Sequence, residues 1–127
     1  MPKYRVIIST DSYVSYEDVE EYVSELLTGL TIDWEDVHIL GFGEDSDDIA
    51  HRFASNNMIK VKDFYVDVEQ YGLIDAYQIR FNKMLEYATE DDCSGLLFTF
   101  YKKYDNPKEE AERAAKAYGL NVFSIGV

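Results

Sequence analysis

Two hydrophobic periodicities alternate along this chain. Short runs of apolar and β-branched residues, the pattern of strands buried on both faces, are separated by stretches with apolar residues three and four apart, the pattern of amphipathic helices. Tyr4 to Ser9 predicts the first strand. Ser15, followed by Glu17 and Asp18, predicts a helix start, and Val19, Tyr22, Val23, Leu26 and Leu27 form its inward face. Gly29 stands where a C-terminal cap is expected. Val37 to Leu40 reads as the second strand, and Asp45 to Asn56 as a helix with Ile49, Ala50, Phe53 and Ala54 inward. A third strand is expected from Lys60 to Val66. Asp75 to Ala88 reads as a helix that buries Tyr77, Phe81, Met84, Leu85 and Ala88. Gly95 to Tyr101 is the most hydrophobic run, which predicts a central strand. Asn106-Pro107 reads as a cap and a first-turn proline. The helix it opens is expected to reach Tyr118, with Ala111, Ala114, Ala115 and Tyr118 inward and Gly119 ending it. Asn121 to Val127 is the last strand.

Regular β-α alternation over 127 residues predicts one domain, residues 1–127. The expected class is α/β: a Rossmann-like three-layer sandwich of about five mostly parallel strands with helices on both faces, joined by right-handed crossovers. The acidic stretches Asp33 to Asp36 and Thr89 to Asp92 read as solvated connections.

Composition narrows the function classes. Asp and Glu number 25 against 12 Lys and Arg, a formal net charge of -13. That field repels nucleic acid and anionic membranes, so neither is an expected partner; basic proteins and cations are favoured instead. Cys93 is the single cysteine, which excludes an intramolecular disulfide and a cysteine-based zinc site. Neither a signal-peptide pattern nor a membrane-length apolar run is present, and the expectation is a cytoplasmic protein. Aromatic residues make up 15%, including 11 Tyr and 7 Phe, enough to line a contact surface as well as a core.

In an open parallel sheet, ligands bind beyond the carboxyl ends of the strands. Here that edge holds Ser9, Thr10 and Asp11, then Gly41 to Asp47, Asp67 to Tyr71, and Tyr101 to Asn106. The turn Gly41-Phe42-Gly43-Glu44-Asp45-Ser46-Asp47-Asp48 joins a strand to a helix, where many α/β proteins hold phosphate. It carries four carboxylates and no Lys or Arg. With Asp11, Asp67, Glu69 and Asp105 these acids form either a ligand edge or a solvated rim; Arg80, Lys102 and Lys103 are the nearby cations. Tyr13, Phe42, Tyr71 and Tyr101 are candidates for an aromatic pocket that stacks a base. Trp34 reads as an interface anchor or as a cover for the sheet end. His38 and His51 lack a nucleophile in a recognisable motif and read as structural, and Cys93 reads as inert. No cofactor is expected; the acid spacing matches no metal-binding loop, which leaves a divalent cation bridging acids to a phosphate as the one form a metal could take.

Three segments carry a resemblance. Ser9-Thr10-Asp11-Ser12-Tyr13 matches a G-S-R-D/N-F/Y loop, Leu40 to Ala54 matches S-G-G-A-x-G-A-D-x-L-A-x-R-Y/F-A, and Ala76 to Leu85 matches A-G-x-x-R-N-x-x-M-L/V. Over nearly its whole length the chain resembles the small YspA-like members of the SLOG superfamily. The resemblance implies a Rossmann-like fold that binds nucleotides or nucleotide-derived ligands at the strand ends, and a homodimer. Departures fall in the loops, where Ser9 and Asp11 replace the first loop's glycine and arginine and Phe42 and Glu44-Asp45 replace residues of the second, and in the helix, where Phe81 stands in place of the asparagine after the matched Arg80. The P-G-G-x-G-T-x-x-E motif of the related phosphoribohydrolases is missing. The expectation is therefore a non-catalytic sensor or sequestering domain for a nucleotide-like small molecule. Its ligand-binding residues would be Ser9, Thr10, Asp11, Tyr13, Gly41, Phe42, Gly43, Glu44, Asp47, Arg80 and Tyr101. The alternatives are an acidic protein-interaction module with a decayed pocket, of the phage or mobile-element accessory kind, and, ranked last, an N-glycosidase.

Overall fold

The computed structural model describes residues 3–11, 13–42, 49–65 and 68–127. Their elements run β1 (Tyr4–Thr10), α1 (Tyr16–Gly29), a 3-10 turn (Trp34–Asp36), β2 (Val37–Gly41), α2 (Ile49–Asn56), β3 (Lys60–Asp63), α3 (Val68–Tyr71), α4 (Leu73–Ala88), β4 (Ser94–Tyr101), α5 (Glu109–Ala117) and β5 (Asn121–Gly126). The strands form one sheet in the order β3-β2-β1-β4-β5, and every neighbouring pair is parallel. This is the expected Rossmann-like sandwich.

Strand alternation splits the core in two. Val6 and Ile8 of β1, Ile39 of β2 and Leu96, Phe98 and Phe100 of β4 pack with Val19, Val23 and Leu27 of α1 and Ala50, Phe53 and Ala54 of α2. On the opposite face, Ile7, Leu40 and Leu97 pack with Met84, Leu85 and Ala88 of α4 and Ala115 of α5. β4 is the central buried strand that its composition predicts, with Gly95 to Phe100 all buried. Gly95 allows the close approach there: a Cβ on it would stand 2.7 Å from Leu120 and 3.1 Å from Ala88.

Several local expectations are corrected. Gly29 lies inside α1; the cap is Leu30, and the left-handed residue is Thr31, at φ 55°. Asn106-Pro107 does not open α5, because the backbone enters the helix only at Glu109, after Lys108. β3 ends at Asp63, with Val66 outside the described residues, and the short helix α3 was not anticipated. Tyr22, Tyr77 and Tyr118 lie at the borders of their helical stripes and are exposed instead of inward. In α4 the inner positions next to Tyr77 are taken by Ala76 and Arg80, both buried. Trp34 is half-buried and tilts against Phe53 at a ring separation of 6.0 Å, so it covers the core and is not a free anchor.

At the amino end of the sheet, Arg5 is only 2% exposed. Its guanidinium donates to the carbonyl oxygens of Tyr87 and Glu90 at the carboxyl terminus of α4. It also meets Asp91 at 3.0 Å and lies 3.8 Å from the centre of the Tyr87 ring. A helix end leaves carbonyls without intrahelical partners and carries partial negative charge, so a cation there satisfies both demands. Burial, reinforced by the charges of Lys60 and Arg5, holds the His38 imidazole below its ordinary range. Arg5→Met, which keeps the aliphatic bulk but strands the α4 carbonyls, is expected to cost about 3 kcal/mol in urea unfolding; a loss below about 1 kcal/mol would contradict this role.

Candidate functional site

Strand order reverses between β1 and β4. β1 leads through α1 to β2 on one side, while β4 leads through α5 to β5 on the other and on the opposite face. The diverging connections open a crevice at the carboxyl ends of these two strands. Ser9, Thr10 and Asp11 enter it from β1, and Phe42 from the end of β2. Arg80 comes from α4, and Lys108 immediately precedes α5.

Lys108 bridges the crevice. Its Nζ lies 3.4 Å from Asp11 Oδ1, 3.2 Å from the Thr10 carbonyl oxygen and 3.5 Å from Ser9 Oγ. The Asp11 N–H donates to the Phe100 carbonyl at 3.2 Å, so the β1 end stays tied to β4 beyond the strand itself. Arg80 is 6% exposed and donates to the Phe42 carbonyl at 2.6 Å. The rings of Phe42 and Tyr77 each lie 4.8 Å from its guanidinium carbon, a double cation–π arrangement.

Beside this arginine lies a cavity of about 380 Å³ whose walls include Ser9, Phe42, Tyr77, Gln78, Arg80 and Phe81. A second cavity of about 510 Å³ between α4 and α5 shares Gln78, Phe81 and Ala111 with the first and reaches Lys108. Thr99, the register partner of Ser9 on β4, is fully buried, and its hydroxyl has no hydrogen-bond partner among the described residues. Register partners point to the same face of a sheet, so Ser9 and Thr99 set two hydroxyls side by side beneath the crevice.

The structure therefore brings together Ser9, Thr10, Asp11, Phe42 and Arg80 from the sequence-derived set. Gly41 ends β2 nearby. Gly43, Glu44 and Asp47 lie outside the described residues. Tyr13 is 77% exposed and Tyr71 also faces outward. The Tyr101 ring packs over Gly126 on the β5 side. The aromatic wall is accordingly Phe42, Tyr77 and Phe81, and not the four rings expected. Sequence reasoning passed over Lys108, although a lysine at the start of the helix that follows the central strand is a legible signal. Lys103, an expected cation, is exposed, and its backbone N–H donates to the Val127 carbonyl.

A second pair was also missed. His51 Nε2 and Asp63 Oδ1 are 2.6 Å apart at the carboxyl ends of β2 and β3. The pair occupies the space above Gly41, where an added Cβ would stand 2.5 Å from Asp63 Oδ1 and 3.1 Å from His51 Cε1. Only the parallel pairing of β2 with β3 joins residues so placed. Among the described residues no cluster of three or more His, Cys, Asp or Glu side chains is arranged to hold a metal ion. No family model, curated protein or solved structure matches the chain.

Gly41→Ala is expected to push the Asp63 carboxylate off the His51 ring. Side-chain NMR would then show the His51 resonances shifted and those of His38 unchanged; unaltered His51 resonances would contradict the packing.

Proposed function

We propose that this protein is a non-catalytic binding domain for a small, nucleotide-like ligand carrying a planar ring and an anionic group, serving as a sensor or sequestering protein. The observation that carries the reading is the pair of adjoining cavities at the reversal of strand order, one walled by Phe42, Tyr77, Phe81 and Arg80, the other by Phe81 and Lys108 with Glu109 and Glu110 at its margin. Aromatic faces exposed to a crevice suit a planar heterocycle. The two cations suit phosphate or carboxylate, and the Thr99 hydroxyl is a buried group that calls for a partner. Lys108 neutralises Asp11, which reduces the repulsion that Asp11 in place of the usual arginine would exert on an anion. The resemblance to SLOG proteins supports the same ligand class at the same edge. Binding through side-chain cations and stacking takes over from the glycine-loop contacts that the chain lacks.

A second reading, an acidic protein-interaction module, rests on α1. That helix carries Glu17, Asp18, Glu20, Glu21 and Glu25 with no Lys or Arg, and Arg52 of α2 packs 4.0 Å from the Tyr16 ring alongside it.

Thermal-shift and calorimetric screening with nucleotides, nucleosides and ADP-ribose derivatives, with and without magnesium, separates the readings. The expected result is a stabilising ligand whose affinity falls about tenfold in Tyr77→Ala, the loss of one stacking contact, and falls further in Lys108→Met. No stabilisation by any of these compounds, together with salt-sensitive capture of a basic protein, would overturn the first reading in favour of the second.

A further inference from the structure

The two edges of the sheet are built differently. β3 is four residues long and carries Lys60 and Lys62, the short charged form that blocks further strand pairing. β5 is six residues long, Asn121-Val122-Phe123-Ser124-Ile125-Gly126, with no charge and no proline. None of its side chains is fully buried, although Val122, Phe123 and Ile125 are apolar and Phe123 stacks on Phe98 at 5.0 Å. A cavity of about 440 Å³ beside its start is walled in part by Leu30, Leu96 and Phe123. An uncharged, unblocked edge is unusual in a chain with a net charge of -13.

Helix α5 flanks this edge. Glu109, Glu112, Arg113 and Lys116 are spaced i, i+3, i+4, i+7 and so form one stripe, acidic in its first half and basic in its second. Glu112, Arg113 and Lys116 lie on the side of the helix away from Ala111 and Ala114, which line the cavity shared with α4, while Glu109 in the first turn also borders the mouth of that cavity. Ser124 Oγ donates to Glu112 Oε2 at 3.3 Å, which sets the middle of the stripe beside the middle of β5.

We infer that β5 is the interface with a second copy of this chain, paired antiparallel about a two-fold axis perpendicular to the sheet. A two-fold there pairs the edge with itself, donors to acceptors, and continues the sheet across both copies. The same operation lays two α5 helices antiparallel on one face. The acidic half of each stripe then meets the basic half of the other, because stripe and strand share a midpoint. On the opposite face, Phe123 and Ile125 of the two copies form one apolar strip. Elsewhere the like charge of two acidic chains opposes association; here the charges alternate and match. This inference is independent of the ligand reading.

Charge exchange tests it. By sedimentation velocity and native mass spectrometry at about 100 µM, the wild-type chain is expected to be a dimer that weakens as salt is raised. Glu109→Lys with Glu112→Lys makes the stripe wholly basic, and Arg113→Glu with Lys116→Glu makes it wholly acidic. Each double variant is expected to dimerise at least about tenfold more weakly, and an equimolar mixture of the two to form a mixed dimer. A monomeric wild type, double variants that still dimerise as wild type does, or a mixture that stays monomeric would each overturn the inference.

Discussion

The parallel pairing of β1 with β4 is the constraint on which the rest of the molecule depends. Its register runs unbroken from Tyr4 opposite Ser94 to Thr10 opposite Phe100. Among the described residues, no other strand pairing links the first half of the chain, through β3, to the second half. Because parallel crossovers turn right-handed, the same pairing sends α1 and α2 to one face and α4 and α5 to the other. It also creates the crevice, since the two strands feed connections that diverge. Ser9 lies opposite Thr99, and Lys108 reaches Asp11 across the gap, only because these two strands are neighbours.

Helix α4 is fixed to that sheet at its carboxyl terminus and at its middle by buried arginines. Arg5 holds its carboxyl terminus through the Tyr87 and Glu90 carbonyls, and Arg80, projecting from the helix itself, holds the Phe42 carbonyl at the end of β2. Each guanidinium also rests on aromatic faces, Tyr87 for the first and Phe42 with Tyr77 for the second. Guanidinium suits such sites because it is planar and more weakly hydrated than an ammonium, so carbonyls and π faces offset its desolvation. One arginine therefore ties the carboxyl terminus of α4 to β1, while the other orders the wall of the proposed ligand cavity. That sharing couples the cavity's shape to the packing of α4.

The sheet was legible because strands buried on both faces are apolar over most of their length, and the runs at Tyr4, Val37 and Gly95 fit that pattern. The amphipathic helices were legible for the same reason of burial. Helix ends and stripe borders were less so. Tyrosine satisfies an apolar period while its hydroxyl favours water, and so Tyr22, Tyr77 and Tyr118 matched the inward pattern yet stand outside it. The buried Arg80 ran against pattern altogether, since a charged residue at an inner position is read as exposed until its partners are seen. The crevice followed from topology, but its cations and rings did not: Lys108 and Tyr77 join Ser9 and Phe42 from sites far apart in sequence. The His51–Asp63 pair carries no signal in spacing and exists because β2 and β3 lie side by side.

Backbone and side-chain NMR mapping of a nucleotide titration is the most direct measurement of the central claim, that the reversal of strand order between β1 and β4 is the ligand site. Saturable shifts are expected at Ser9, Thr10, Asp11, Phe42, Tyr77, Arg80 and Lys108, with the α1 surface unchanged. Shifts confined to α1 and α2, or scattered without saturation, would contradict it.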